Sequence, residues 1–259
     1  MASGILSRLL GRGPKDEPST PVAVDQDIWL IGDVHGCIDP LDRLLARVDA
    51  DRHSERSTIV FLGDYVDRGP ASKAVLDRLS ERLDGGTSMH AAVALVGNHE
   101  RMMLEFLEEP VQRGRRWLRF GGIDTLASFG VGGITVHATP AELRDAADRL
   151  AVAAGADTLA MLHHLPTRWR NGNVVCVHAG LDPGAPVDGQ SDEVAVWGHP
   201  DFMTVPRTDG LWIAHGHTIV DRPHAAGSRI ATDTGVYRTG RLTAAHLRPG
   251  AAPAFVTVD

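Results

Sequence analysis

Five short groups of polar residues in this sequence each follow directly on a run of apolar residues. Together they supply two carboxylates, three imidazoles and one amide, namely Asp33, His35, Asp64, Asn98, His178 and His217. This mixture of nitrogen and oxygen ligands, without a thiolate, suits manganese, iron or zinc better than calcium. Six side chains are more than one open catalytic ion needs, whereas two divalent ions that share a bridging carboxylate would use them all. Because each group alone also fits an ordinary turn or a buried histidine, the prediction of a metal site rests on the five occurring together.

The elements that would position the first three groups follow a regular pattern. Apolar runs at 28–31, 59–62 and 92–96 alternate with apolar residues at helical spacing, such as Leu41 and Leu44. This alternation predicts βαβ units and a parallel sheet that is covered on both faces. Ligands of such sheets bind beyond the carboxyl ends of the strands, so the polar groups should meet in one crevice.

The rest of the chain is less regular. We interpret residues 114–170 as a helical, turn-rich insertion within one domain of residues 26–259. Residues 1–25 are expected to form a flexible tail, and the alternative is a docking helix built on the apolar residues between Ile5 and Leu10. Short extended segments follow the insertion, and their closeness favours antiparallel pairing; they are 174–177, 211–214, 229–231, 242–246 and 254–258.

The composition excludes several classes of protein. The 43% hydrophobic and 23% charged residues are typical of a globular domain rather than of a disordered chain. The net charge of −7 provides no basic field for nucleic acid, and no apolar run has the length of a membrane span. Cys37 and Cys176 are too few for a disulfide framework and are interpreted as core thiols in a reducing compartment. We therefore expect a cytoplasmic monomer with neither a nucleic-acid partner nor a membrane span.

The five polar groups, in their order, resemble the signatures of the phosphoprotein phosphatase branch of the calcineurin-like metallophosphoesterases. They read GDVHG (32–36), GDYVDRG (63–69), GNHE (97–100), VHAG (177–180) and HGHT (215–218). The resemblance implies an α/β fold, a β-sandwich of two mixed sheets flanked by helices, with a dinuclear metal site at the strand ends. It also implies that Asp33, His35 and Asp64 hold the first ion, that Asp64 bridges, and that Asn98, His178 and His217 hold the second.

The reaction implied is hydrolysis of a phosphoric ester by a hydroxide held between the two ions. His99, oriented by Asp67, would protonate the leaving oxygen, and Arg68 would bind phosphate oxygens with its planar guanidinium. Asn98 is expected to contact substrate as well as metal. Manganese is the expected metal, and iron or zinc are the alternatives.

The substrate is expected to be a phosphoprotein, which would make the chain a bacterial serine/threonine protein phosphatase. The alternative is a phosphorylated small molecule, with the chain acting as a symmetrical diadenosine tetraphosphate hydrolase. That activity needs an aromatic wall for the base, for which Trp117, Phe120 and Trp169 are the candidates. An inactive phosphate-binding scaffold would lack a ligand or the acid, and neither is missing. Members of the family carry a second phosphate-binding arginine after VHAG, where this chain has His199, with Arg207 nearby.

Overall fold

Two five-stranded sheets make up the sheet structure of the computed structural model, which describes residues 20–51, 57–85 and 90–259. Numbered along the chain, the first sheet has the order β10-β9-β1-β2-β3. Its strands are β1 (Asp27–Ile31), β2 (Ser57–Phe61), β3 (Ala91–Ala94), β9 (Leu242–Leu247) and β10 (Ala254–Val258). The second sheet has the order β4-β5-β6-β8-β7. Its strands are β4 (Arg168–Asn171), β5 (Val174–Val177), β6 (Trp212–His215), β7 (His224–Ala226) and β8 (Arg229–Ala231).

The βαβ prediction for the first sheet is confirmed. Strands β1, β2 and β3 are parallel, and helices α1 (Ile38–Asp49) and α2 (Ser72–Leu83) connect them. The apolar positions at helical spacing in α1 are buried, because they form the face that packs on the sheet. The fold is therefore the expected α/β sandwich of two mixed sheets flanked by helices.

The prediction of antiparallel pairing for the later strands is wrong at the centre of the second sheet. Strands β5, β6 and β8 run parallel, and antiparallel pairs occur only towards the edges of the two sheets. The stretch between β5 and β6 is long enough for a crossover connection, which the short spacing of the other strands obscured. Strands β4 and β7 were missed because the sequences RWRN and HAA contain no apolar run.

The core lies in two layers around the first sheet. Alternate residues of β1, such as Ile28 and Leu30, face the second sheet and pack against Cys176 and Ile230. The intervening residues, such as Ile31, face the helices. Burial on both faces explains why the strand sequences are continuous apolar runs.

A chain of helices follows β3. It consists of α3 (Asn98–Glu108), α4 (Pro110–Trp117), a π-helical turn (Leu118–Gly122), α5 (Ile123–Ser128) and α6 (Pro140–His164). Helix α6 begins at a capping box between Thr139 and Glu142 and is interrupted at Gly155, where φ is 78°. The remaining helices are α7 (Asp192–Trp197), α8 (Val236–Thr239) and a 3₁₀ turn (Val187–Gly189). The division of the chain into a tail, one domain and an insertion stays a prediction.

Residues 20–25, which the sequence assigns to the tail, are bound to the second sheet. The indole N–H of Trp212 donates to the carbonyl of Thr20 at 2.9 Å, and Val24 is buried. Backbone N–H groups of Ala23 and Asp25 donate to the side chains of Asn173 and Asn171. The candidate docking helix lies outside the described residues.

The two thiols differ in their surroundings. Cys176 is a buried thiol of the core, as expected, whereas Cys37 is partly exposed at the start of α1. None of the helices in the described part of the chain is long and apolar enough to cross a membrane.

Candidate metal centre

The five polar groups meet at the carboxyl ends of β1, β2, β3, β5 and β6. Asp64, after β2, is at the middle of the cluster, and both of its carboxylate oxygens face imidazoles. The Nε2 atom of His35 lies 3.5 Å from Oδ2, and Nε2 of His178 lies 3.3 Å from Oδ1. The crevice expected from the strand order is therefore present, and Asp64 is shared by its two halves.

Two groups of potential ligands surround Asp64. One contains His35 and His99 with Asp64, and the other contains His178 and His217 with Asp64. Asp33 borders the first group, since its Oδ2 lies 3.9 Å from Nε2 of His35.

The amide of Asn98 and the carboxylate of Asp33 bind the second group together. The Oδ1 atom of Asn98 lies 2.9 Å from a ring nitrogen of both His178 and His217. The backbone N–H of His217 donates to the carboxylate of Asp33. The structure thus brings together all six side chains that the sequence proposes as ligands.

The donor set fits divalent cations. Nδ1 of His35 lies 2.9 Å from the carbonyl of Val66, and Nδ1 of His178 lies 2.8 Å from the carbonyl of Leu62. Each ring therefore donates through Nδ1 and turns the lone pair of Nε2 towards Asp64. Carboxylates and imidazole lone pairs are all acceptors, so a cation satisfies them where they would otherwise repel one another.

The electrostatics of the site agree with that conclusion. Burial lowers the pKa of His178, but the carboxylates of Asp64 and Asp33 outweigh burial and raise the pKa to about 10. Burial raises the pKa of Asp64, yet His178 and His99 hold it well below its usual value. The pKa of Asp33 is raised by burial and by the neighbouring Asp233. Negative charge in this buried cluster is therefore stabilised where positive charge lies beside it.

The two remaining imidazoles are held neutral. Burial lowers the pKa of His35 to about 3 and that of His217 to about 4. Positively charged neighbours add to the effect in both cases. Neutral imidazole is the form that binds a metal ion.

The backbone of the site is unusual. Among the described residues, six other than glycine have positive φ, and five of them belong to the polar groups. The five are His35, Asp64, Asp67, Arg68 and His217, with φ between 44° and 73°. Sharp left-handed turns aim consecutive side chains into one crevice, at a cost in local strain.

Glu100 is a functional residue that sequence reasoning missed. Its fully buried carboxylate accepts hydrogen bonds from the N–H groups of Gly97, Asp64, Tyr65 and Val66. Burial and the charge of Asp64 raise the pKa of Glu100 to about 7. Glu100 fixes the loop that carries Asp64, and its position three residues after Gly97, as in a capping box, was the available signal.

The expected pair of His99 and Asp67 is present. Nδ1 of His99 lies 2.6 Å from Oδ2 of Asp67, and the second ring nitrogen faces Asp64 at 3.9 Å. Burial lowers the pKa of His99, but Asp64 and Asp67 outweigh burial and raise it. His99 therefore carries a proton beside the cluster, as a general acid must.

Trp117 is not part of an aromatic wall, because its ring is fully buried. Its indole N–H donates to Asp67 at 2.9 Å, and the hydroxyl of Thr125 donates to the same carboxylate at 2.7 Å. Trp169 packs against the core between the sheets, so it does not supply that wall either. Phe120 is 49% exposed, on the π-helical turn whose Gly121 lies against the backbone of Arg68.

Comparison with known proteins assigns the family. The profile described as calcineurin-like phosphoesterase matches residues 27–221, which is most of the chain and includes all five polar groups. The chain belongs to this family. It is accordingly a metal-dependent phosphoesterase, a hydrolase, and its fold agrees with that of solved members.

Two curated relatives of this phosphoesterase carry related names. An asymmetrical bis(5'-nucleosyl)-tetraphosphatase PrpE of Bacillus velezensis is 29% identical over 236 residues, covering 83% of this chain and 86% of the relative. A symmetrical bis(5'-nucleosyl)-tetraphosphatase of Bordetella pertussis is 36% identical over 138 residues, covering 49% of this chain and 48% of the relative. The chain thus spans about half the length of the symmetrical enzyme.

Solved structures support the fold. A protein serine/threonine phosphatase from Saccharomyces cerevisiae matches this phosphoesterase with a TM-score of 0.54 at 16% identity. The match covers 95% of this chain and 85% of the yeast protein. A structure provisionally assigned as a diadenosine tetraphosphatase matches with a TM-score of 0.58 at 24% identity, covering 93% and 98% of the two chains. At such identities the likeness concerns the fold alone.

The phosphoesterase positions Arg68 at the edge of the cluster. Its guanidinium donates to Nε2 of His35 at 3.2 Å and lies 4.7 Å above the ring of Tyr237. Tyr237 also meets His35 edge-on, with 5.3 Å between ring centroids, and no sequence signal pointed to it. The planar cation is therefore held between the metal cluster and an aromatic face.

Arg207 does not provide the second phosphate-binding cation. Its buried guanidinium forms an ion pair with Asp209 and donates to the carbonyls of Asp182 and Ala185. His199 instead lines a cavity next to His217. Of the two candidates, His199 alone faces the site.

Proposed function

We propose that this phosphoesterase hydrolyses dinucleoside polyphosphates, with diadenosine tetraphosphate as the representative substrate. The observation that carries the proposal is that a relative aligned over 83% of this chain is named a bis(5'-nucleosyl)-tetraphosphatase. The shared cluster around Asp64 supports phosphoester chemistry, and the relatives favour a small-molecule substrate over a phosphoprotein.

The roles of the side chains follow from their positions. Asp33, His35 and Asp64 would hold one divalent ion, and Asp64, Asn98, His178 and His217 would hold the other. Such ions polarise phosphoryl oxygens and make a water molecule acidic enough to attack phosphorus. Arg68 binds non-bridging phosphate oxygens from the edge of the cluster, assisted by Asn98. His99, oriented by Asp67, delivers its Nε2 proton to the bridging oxygen that leaves with the second nucleotide.

The experiment compares three substrates with the purified protein in manganese. We expect kcat/KM for diadenosine tetraphosphate to exceed that for a phosphoserine peptide by at least about 100-fold, with p-nitrophenyl phosphate reporting basal activity. Two molecules of ADP would indicate symmetrical cleavage, and ATP with AMP would indicate asymmetrical cleavage. A higher kcat/KM for the peptide would instead support the serine/threonine phosphatase reading.

Metal content is tested separately. Elemental analysis after manganese loading should find two ions per chain, and Asp64→Asn should reduce both the metal content and the turnover of every substrate. Asp77→Asn is the matched control, because Asp77 lies on the exposed face of α2, where it pairs with Lys73. Full activity with one ion per chain would contradict the dinuclear proposal.

A further inference from the structure

A cavity of about 350 Å³ lies directly beside the candidate metal centre. One wall contains His217 and Ala179, which belong to two of the five polar groups, and the opposite wall is formed by residues 197–203. Its volume is within the range of roughly 300–1,000 Å³ that small-molecule sites occupy. Because His217 is shared, a group attached to a phosphate held at the cluster would extend into this space.

The lining is suited to a flat aromatic group. It contains the indole of Trp197, the phenyl ring of Phe202 and the thioether of Met203, which is 39% exposed. Aromatic and thioether surfaces stack on the faces of purine rings whatever their sequence of ring atoms. The lining contains neither lysine nor arginine, so the cavity does not resemble a second phosphate site.

His199 supplies a polar contact in the same wall. Its Nδ1 accepts the backbone N–H of Asp201 at 3.3 Å, which leaves the proton on Nε2. That N–H has the carboxylate of Asp182 4.0 Å away, beyond hydrogen-bond distance. A ring nitrogen of a purine is an acceptor that this donor can reach.

Packing holds the aromatic part of the wall in place. The guanidinium of Arg116 lies 4.7 Å over the ring of Trp197. Phe202 meets His215 edge-on and covers Gly180, where any Cβ would overlap its ring. Met203 is the exposed, unbranched member and can adjust to a ligand.

We infer that this cavity binds the nucleoside adjoining the cleaved phosphate, with its base against Trp197 and Met203 and within reach of His199. The inference rests on the proposed function and adds to it the residues that recognise the nucleoside. It assigns the place of the expected arginine to base recognition instead of phosphate binding.

The test uses Met203→Ser, with Val205→Ser as the matched control, because Val205 is exposed in the same segment but does not line the cavity. Met203→Ser should raise KM for diadenosine tetraphosphate about five-fold, the order expected when one stacking surface is lost, and leave kcat unchanged. The inhibition constant of inorganic tetraphosphate, which has no nucleoside, should stay the same. Val205→Ser should alter none of these constants. An unchanged KM, or a parallel rise in both constants, would overturn the inference.

A second measurement separates this inference from the proposed function. If the wild-type protein cleaves p-nitrophenyl phosphate but not diadenosine tetraphosphate, the proposed function is wrong and the cavity remains to be judged. AMP and inorganic phosphate are then compared as inhibitors of p-nitrophenyl phosphate hydrolysis. A nucleoside site predicts that AMP binds about ten-fold more tightly than phosphate and that Met203→Ser removes most of the difference. Equal inhibition constants in the wild-type protein reject the site.

Discussion

Asp64 illustrates how single side chains define the centre of this protein. Its two carboxylate oxygens face separate groups of imidazoles, and its backbone N–H is held by Glu100. The ligand set could be predicted from residue types and order, because each ligand directly follows an apolar run. Glu100, Thr125, Trp117 and Tyr237 could not be assigned their contacts, since each contact joins residues that are at least 35 positions apart.

At the residue scale, His99→Asn should have an effect that depends on the leaving group. An alkoxide leaving from phosphoserine needs a proton, and general acid catalysis is worth roughly 10²–10⁴-fold there. A nitrophenolate needs little help, so p-nitrophenyl phosphate turnover should fall far less. Kinetics on both substrates, with metal content measured in parallel, test this role. Equal losses would assign His99 to phosphate or metal binding.

Thr125 permits a finer test of how Asp67 is held. Thr125→Val removes a hydroxyl that donates to a fully buried carboxylate, and such a loss costs about 1–3 kcal/mol. Hydrolysis of an alkyl phosphate should fall about ten-fold, and Thr125→Ser, which keeps the hydroxyl, should restore most of it. If the serine variant is as slow as the valine variant, the methyl group and not the hydrogen bond is responsible.

At the scale of elements, loops that follow the strands are packed without free space. The parallel strands of the first sheet could be predicted because their apolar runs are long and separated by amphipathic helices. The parallel centre of the second sheet could not, because pairing direction there depends on a crossover whose residues have no regular pattern. The predicted crevice nevertheless followed from the strand ends alone.

Gly97 at the end of β3 shows how tight these loops are. A Cβ at this position would overlap Oδ1 and the backbone nitrogen of Asp64. Gly97→Ala should therefore displace Asp64, lower metal affinity and reduce activity at least about ten-fold. Gly132→Ala is the control, since that position opens onto free space. Wild-type metal binding by Gly97→Ala would show that the loop can move aside.

His215, the last residue of β6, should make stability depend on pH. Burial lowers its pKa to about 4 from the usual 6.5, and its Nε2 has no hydrogen-bond partner within the described chain. Between pH 6.5 and pH 4 the unfolded chain takes up a proton that the folded chain does not, so stability falls as pH falls.

Urea unfolding of the metal-free protein measures this effect. Going from pH 7 to pH 5, the wild type should lose about 2 kcal/mol more unfolding free energy than His215→Phe, which has no titrating ring. The same loss in both proteins would show that other groups control the acid sensitivity.

At the scale of the whole molecule, the described chain begins with a segment that is part of the sandwich. Removing residues 1–25 deletes buried Val24 and its hydrogen-bonded neighbours, and it should lower unfolding free energy by about 3 kcal/mol relative to removal of residues 1–19. Thermal unfolding of the two truncated proteins checks this. Equal melting temperatures would show that the contacts of residues 20–25 contribute nothing.

The left-handed residues of the site have a consequence for how the protein can change under selection. Five such residues at roughly 1 kcal/mol each amount to about 5 kcal/mol, a large part of the total stability of a typical domain. Glycine would relieve that strain at every one of them while removing a working side chain. A library screened for heat resistance alone should therefore accumulate glycine at these positions and become inactive. Thermostability and turnover are opposed at these five positions, and improvement of both has to come from the rest of the sandwich.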